Sequence, residues 1–152
     1  ERPCLCPPGA VQKYMNKISG PLLDRIDIQI EIVPVPFEKI SIQTPSEPSA
    51  HVRERVIKAR AIQEERFKAH PGIYCNAQME TKQLHQYAIP DAAGMQLLKQ
   101  AMTRLNLSAR AYDRILKVSR TIADLDGTEK IETPHLAEAI HYRNLDREGW
   151  GT

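Results

Sequence analysis

Residues 107–125, LSARAYDRILKVSRTIADL, decide how this chain folds. Ala111, Ile115, Val118, Ile122 and Leu125 follow at intervals of four, three, four and three, the repeat of one buried helix face. A second stripe, Ala109, Tyr112, Leu116 and Ala123, runs beside it, so the helix is expected to be covered on two sides. Ser108 suits a cap whose hydroxyl accepts a backbone N–H, and Gly127 suits the left-handed residue that ends a helix. The line left for solvent is Arg110, Arg114, Lys117, Thr121 and Asp124.

Working outward, Thr133-Pro134 reads as a cap and first-turn proline that start a last helix with Leu136, Ala139 and Ile140 inside. The tail from Arg147 to Thr152 is expected to fray. On the other side, Pro90-Asp91 starts a helix reaching about Leu105, with Met95, Leu98, Met102 and Leu105 on one face. Before it come a short helix, Thr81–Tyr87, and an irregular connector from Ile73 to Met79. A longer helix is predicted from about Ala50 to Ala69, capped by Ser49, with Val52, Val56, Ala59, Ile62 and Gln63 inward. Its Arg53, Arg55, Lys58, Arg60 and Arg66 interleave with Glu54, Glu64 and Glu65, the pattern of a solvated face laced with weak pairs.

The N-terminal third follows a different rule. After a proline- and cysteine-rich loop, Ala10–Ile18 reads as a short amphipathic helix, and Pro21 starts a single helical turn. From Ile26 the period changes to two, with Ile26, Ile28, Ile30 and Ile32 alternating with Asp27, Gln29 and Glu31. That alternation predicts a half-buried strand, closed by Pro34 and Pro36. The proline-punctuated stretch 34–50, with a candidate short strand at Lys39–Gln43, marks a boundary between residues 1–47 and 48–152. The predicted fold is mainly α: a strand-containing remnant followed by a bundle of about four or five helices.

Composition supports a folded chain and excludes little else. The 152 residues are 41% apolar with a formal net charge of +2, so bulk charge does not call for nucleic acid. No apolar run reaches membrane-span length and no signal-peptide pattern opens the chain, so the expectation is a soluble, cytoplasmic protein with no membrane partner. Three cysteines do not make a disulfide framework. The chain starts at Glu1 without a methionine, which predicts a segment cut from a longer protein.

Most catalytic patterns fail. None of the seven glycines fits the Gly-x4-Gly-Lys-Ser/Thr loop that cradles phosphate. Glu138 and His141 make one Glu-x-x-His pair, where a di-iron bundle needs two such pairs and two further glutamates. Cys75 has no neighbouring histidine to activate it, and the connection Asp126–Thr133 is too long for a helix-turn-helix. Cys4 and Cys6 form a Cys-x-Cys pair, either two loop thiols or two of the four ligands a structural zinc requires. Arg25, between Asp24 and Asp27, reads on its own as an exposed ion pair at a helix-to-strand junction.

Two phrases carry more. ISGPLLDRIDI (18–28) and LSARAYDRILKVSRTIADLDG (107–127) resemble the C-terminal part of the magnesium-chelatase-like AAA+ ATPases, the ComM competence-protein family. VRERVIKARAIQEER is similar to that family's first lid helix and LAEAIHYRNLDR to its last helix, so the resemblance covers nearly the whole chain in order. It implies the end of the α/β ATPase core (1–47) followed by the helical lid (48–152) of a homo-hexameric, ring-forming ATPase. That parent processes DNA by branch migration in natural transformation and uses ATP and Mg2+ through a P-loop upstream. In the matching motifs Arg25 corresponds to the arginine finger acting on a neighbouring subunit's ATP, and Arg110 to the sensor 2 arginine. Guanidinium suits both roles, because it stays charged and donates to phosphate in a planar fork. The resemblance also implies an earlier cysteine pair, which would make Cys4 and Cys6 half of a zinc site. Ser119 departs from the alanine usual at its position.

The segment alone is therefore expected to be inactive. Two other readings compete. A nucleic-acid-binding helical module would use Arg53 and Arg60, and would lose affinity with salt. A motor subunit of a metal chelatase would need partner subunits, and no porphyrin or metal site is legible for it.

Overall fold

The computed structural model describes residues 5–7, 9–37 and 46–143. Cys4, the candidate strand at Lys39–Gln43 and the tail from Arg147 lie outside the described residues. The elements are α1 (Ala10–Met15), α2 (Gly20–Leu23), α3 (Ser49–Phe67), a 3-10 turn (Asn76–Gln78), α4 (Thr81–Tyr87), α5 (Ala92–Arg104), α6 (Ala109–Leu125) and α7 (Thr133–His141). The fold is mainly helical, as predicted.

The bundle is built around α6, which packs against α7, α3, α4 and the 3-10 turn, while α5 packs against α7. Ile115, Leu116 and Ala123 of α6 meet Leu98, Leu136, Ala139 and Ile140 in one core, and Ala111 is buried as well. Val118 and Ile122 are half-buried beside it, whereas Ala109 and Leu125, at the two ends of the predicted stripes, are exposed. Fully burying one aliphatic side chain contributes about 1.5–3 kcal/mol, so this seam accounts for much of what holds the helices together.

The helix ends follow local chemistry. The Ser108 hydroxyl accepts from the Ala111 N–H at 3.2 Å, and Gly127 turns the chain at φ 69° just after α6. Asp91 caps α5 by accepting from the Gly94 N–H at 2.6 Å. A Cβ at position 94 would lie 2.9 Å from that carboxylate oxygen, so glycine is what allows the cap so close an approach. Glu132, not Thr133, is the cap of α7, and its N–H donates to His135 Nδ1 at 3.0 Å. Ser49 is the first residue of α3 and makes no side-chain cap. The buried hydroxyl of Ser119 donates to the Leu116 carbonyl at 3.0 Å, so the departure from alanine costs the core no orphaned group.

Three expectations need correction. First, the strand at Ile26–Ile32 does not form: the pairing among the described residues is a single parallel bridge, Pro90 with Ile131. Ile26, Ile28, Ile30 and Ile32 are 40%, 51%, 63% and 84% exposed. Alternation sets which side chains share a face, but a strand also needs a neighbour to take its main-chain N–H and C=O groups. Second, α3 turns little of its predicted inner face inward: Ala59, Gln63 and Phe67 are buried, while Val52, Val56 and Ile62 are exposed. Only its C-terminal end reaches the bundle. Third, Asp124 is buried and Thr121 half-buried, although both fall on the predicted solvent line.

Candidate functional site

The chain's arginines divide into those consumed by the fold and those left outside it. Asp124, with its side chain fully buried, receives three donors. Arg120 Nε donates to it at 3.0 Å, Asn76 Nδ2 at 2.7 Å, and Arg66 donates in a two-pronged pair, one arm at 2.7 Å. Arg120 spends its remaining arms on the carbonyls of Glu129 and Thr128, each at 2.6 Å. Burial lowers the Arg120 pKa and Asp124 opposes that shift, but an arginine stays protonated throughout the range in which proteins fold. The cluster ties α3, the 3-10 turn and the end of α6 together. All three Arg120 nitrogens and both Asp124 oxygens have internal partners, so the cluster is a structural joint rather than a reaction site.

Arg143, just past α7, is buried like Arg120, and it reaches back across the chain. It donates to the Ile26 carbonyl, and its Nη2 lies 3.8 Å from Asp24 Oδ1. The Gln29 N–H donates to the Tyr142 carbonyl at 3.0 Å, and Arg114 of α6 pairs with Asp27. These contacts hold residues 24–29 against the bundle.

Arg25 sits in the middle of that bracketed stretch and is itself exposed, with one arm donating to the Pro21 carbonyl at 2.9 Å. Arg110 is exposed on the first turn of α6, one turn before Arg114. The two predicted phosphate-contacting arginines thus lie on segments that the Asp27–Arg114 pair joins. Sequence reasoning singled out these two, and missed that Arg120 and Arg143 are buried and that Arg66 is drawn into the cluster around Asp124. The i,i+4 spacing of Arg120 and Asp124 was the available signal, and it does not distinguish a buried pair from a surface one.

Cys6 is exposed. Among the described residues no group of three or more His, Cys, Asp and Glu side chains is arranged to hold a metal. A cavity of about 260 Å3 lies between α6 and α7 and is closed on one side by Ile28. Val118, Ile122 and Leu125 line it, with Lys117, Glu138 and Tyr142 also at the wall. The Tyr142 hydroxyl donates to Glu138 at 2.9 Å, and that bond to a carboxylate, followed by burial, raises the phenol pKa. The lining brings no cluster of donors for a phosphate. Among the described residues no helix is long and apolar enough to cross a membrane.

Comparison with known proteins fits this picture. The family described as magnesium chelatase, subunit ChlI C-terminal, matches residues 46–143, and magnesium chelatase, subunit ChlI, matches residues 1–40. The chain is 43% identical over 141 residues to the competence protein ComM of Haemophilus influenzae, covering 92% of the chain and 27% of that protein. It is 40% identical over 144 residues to the uncharacterized protein YifB of Escherichia coli, covering 93% of the chain and 27% of that protein. To the uncharacterized protein Rv2897c of Mycobacterium tuberculosis it is 33% identical over 140 residues, covering 92% of the chain and 27% of that protein. The chain therefore spans about a quarter of the length of these relatives.

Proposed function

The chain belongs to the magnesium-chelatase-like family of ChlI and ComM, and on that premise we propose that it is the helical lid and arginine-bearing segment of a longer, ring-forming AAA+ ATPase that processes DNA. The observation that carries this reading is the division of the arginines. Arg66, Arg120 and Arg143 are consumed inside the fold, whereas Arg25 and Arg110 stand exposed on segments that the Asp27–Arg114 pair joins, in the two phrases whose resemblance to the family suggests phosphate contact.

In this reading Arg25 reaches across a subunit boundary to the ATP of a neighbouring copy, and Arg110 contacts a nucleotide phosphate from the lid. The chain's contribution is charge: planar guanidinium donors stabilise the negative charge that spreads over a transferring phosphoryl group. ATP and Mg2+ would be held by portions of the longer protein outside these residues, since the sequence has no phosphate-cradling glycine loop. Residues 1–152 carry no catalytic machine of their own and would not hydrolyse ATP alone. Cys4 and Cys6 would supply two thiolates to a zinc site completed from elsewhere in the protein. The assembled ring, of identical subunits, would work on DNA in the cytoplasm by branch migration, as in natural transformation.

The test is turnover in the full-length protein. Arg25→Ala is expected to slow ATP hydrolysis about 10³-fold or more, and Arg110→Ala about 10²-fold. Wild-type turnover in both variants would sink the reading.

A second reading has one observation in its favour. The first turns of α3 stand away from the core, with Arg53, Lys58 and Arg60 exposed. If this helix contacts DNA directly, Arg53→Ala and Arg60→Ala should each lower the salt dependence of DNA binding by about one counterion. An unchanged salt slope would remove α3 from the DNA surface.

A further inference from the structure

Arg25 lies on a stretch that cannot fix its own position. The four residues of α2 form one turn, too short to be stable alone, and the chain that follows pairs with no strand among the described residues. Yet a charge placed on phosphate across an interface must be accurate, because a displacement of about 1 Å can cost about 10²-fold in rate.

Four contacts within six residues supply what local structure lacks. The carboxylates flanking Arg25 both face guanidiniums of the helical domain, Asp24 toward Arg143 and Asp27 toward Arg114. Two main-chain groups that follow, the Ile26 carbonyl and the Gln29 N–H, bond to Arg143 and to the Tyr142 carbonyl. Arg143 is buried and so holds its carbonyl away from competing water. The Arg114–Asp27 pair is more open, at 30% and 48% side-chain exposure, so salt can weaken it.

We propose that Arg143 and Arg114 are positioning residues for Arg25: the C-terminal end of α7 and the first half of α6 clip residues 24–29 and set where the Arg25 guanidinium points. This deepens, and rests on, the reading of Arg25 as the phosphate-contacting arginine. It makes the lid a determinant of the finger, so that movement of the helical domain in one subunit moves the charge offered to a nucleotide elsewhere in the ring.

The clip is tested by charge reversal in the full-length protein. Asp27→Arg and Arg114→Asp are each expected to lower kcat for ATP about tenfold with little change in KM, and the double variant is expected to recover most of the loss. A general loss of folding would neither leave KM in place nor be repaired by the swap. In parallel, hydrogen exchange of the peptide containing the Gln29 amide should accelerate in Arg143→Met and in either single reversal, and slow again in the double variant. Single reversals with wild-type kcat, in a protein where Arg25→Ala abolishes turnover, would overturn the clip and leave the reading of Arg25 standing. A loss that the double variant does not repair would also overturn it. If Arg25→Ala itself turns over normally, the reading of Arg25 falls and the clip's role falls with it.

Discussion

Helix α6 and the segment from Ile26 to Ile32 carry equally clear apolar periods, one of a helix and one of a strand, and they end in opposite conditions. In α6 the period meets partners: Ala111, Ile115, Leu116 and Ala123 are sealed against neighbouring helices, and even Asp124 is drawn into the interior by three donors. In the segment the same strength of pattern leaves Ile28, Ile30 and Ile32 in solvent. Periodicity reports which face of a segment is apolar. Whether that face is buried depends on a second surface of matching shape, which a different part of the chain must supply.

The contrast can be broken first at Asp124. Removing its carboxylate strands the Arg66 and Arg120 guanidiniums together in the interior, so Asp124→Ala should cost about 3–5 kcal/mol, a fall in Tm on the order of 15 °C. Denaturant unfolding checks it, and a loss under about 1 kcal/mol would mean that the cluster does not join α3 to α6. Next in size is Ile115→Ala, which opens a cavity beside Leu98 and Leu136 and should cost about 2–5 kcal/mol. Ser108→Ala removes a cap and should cost about 1 kcal/mol, visible as a lower unfolding midpoint with unchanged slope. The smallest effect belongs to the segment: Ile32→Ala should stay within about 0.5 kcal/mol of the parent by the same measurement. A cost there rivalling that of Ile115→Ala would erase the distinction between the two regions.

Much of the bundle was legible because its signals are local. Thr81–Tyr87 has the predicted limits, Ser108 caps as expected, and Gly127 adopts the left-handed conformation assigned to it. These features depend on a few neighbouring residues, and the chemistry that decides them is written in the same short stretch. Arg25 and Arg110 were singled out for another reason: they stand in long phrases resembling a family, and neither is drawn into the core.

What escaped sequence reading was every property that depends on a distant partner. Asp124 looks like a solvent residue because it follows the polar line of α6, and it is the arrival of Arg66 and Asn76, 58 and 48 positions earlier, beside Arg120 that makes burial tolerable. Arg143 looks like one more charge near the C-terminus, yet it crosses 117 positions to the Ile26 carbonyl. Val52 and Val56 look like an inner face, but α3 is buried only from Ala59 onward, at Ala59, Gln63 and Phe67.

By itself, then, the sequence determined the helices and some of their ends, such as the Ser108 cap and the Gly127 turn, because hydrogen bonds of the helical kind and capping contacts close within a few residues. Tertiary structure alone decided which charges are structural and which remain available, and whether the isoleucine alternation becomes a strand. Burial of a charge and pairing of a strand each require a complementary group placed in space, and sequence spacing does not measure that distance.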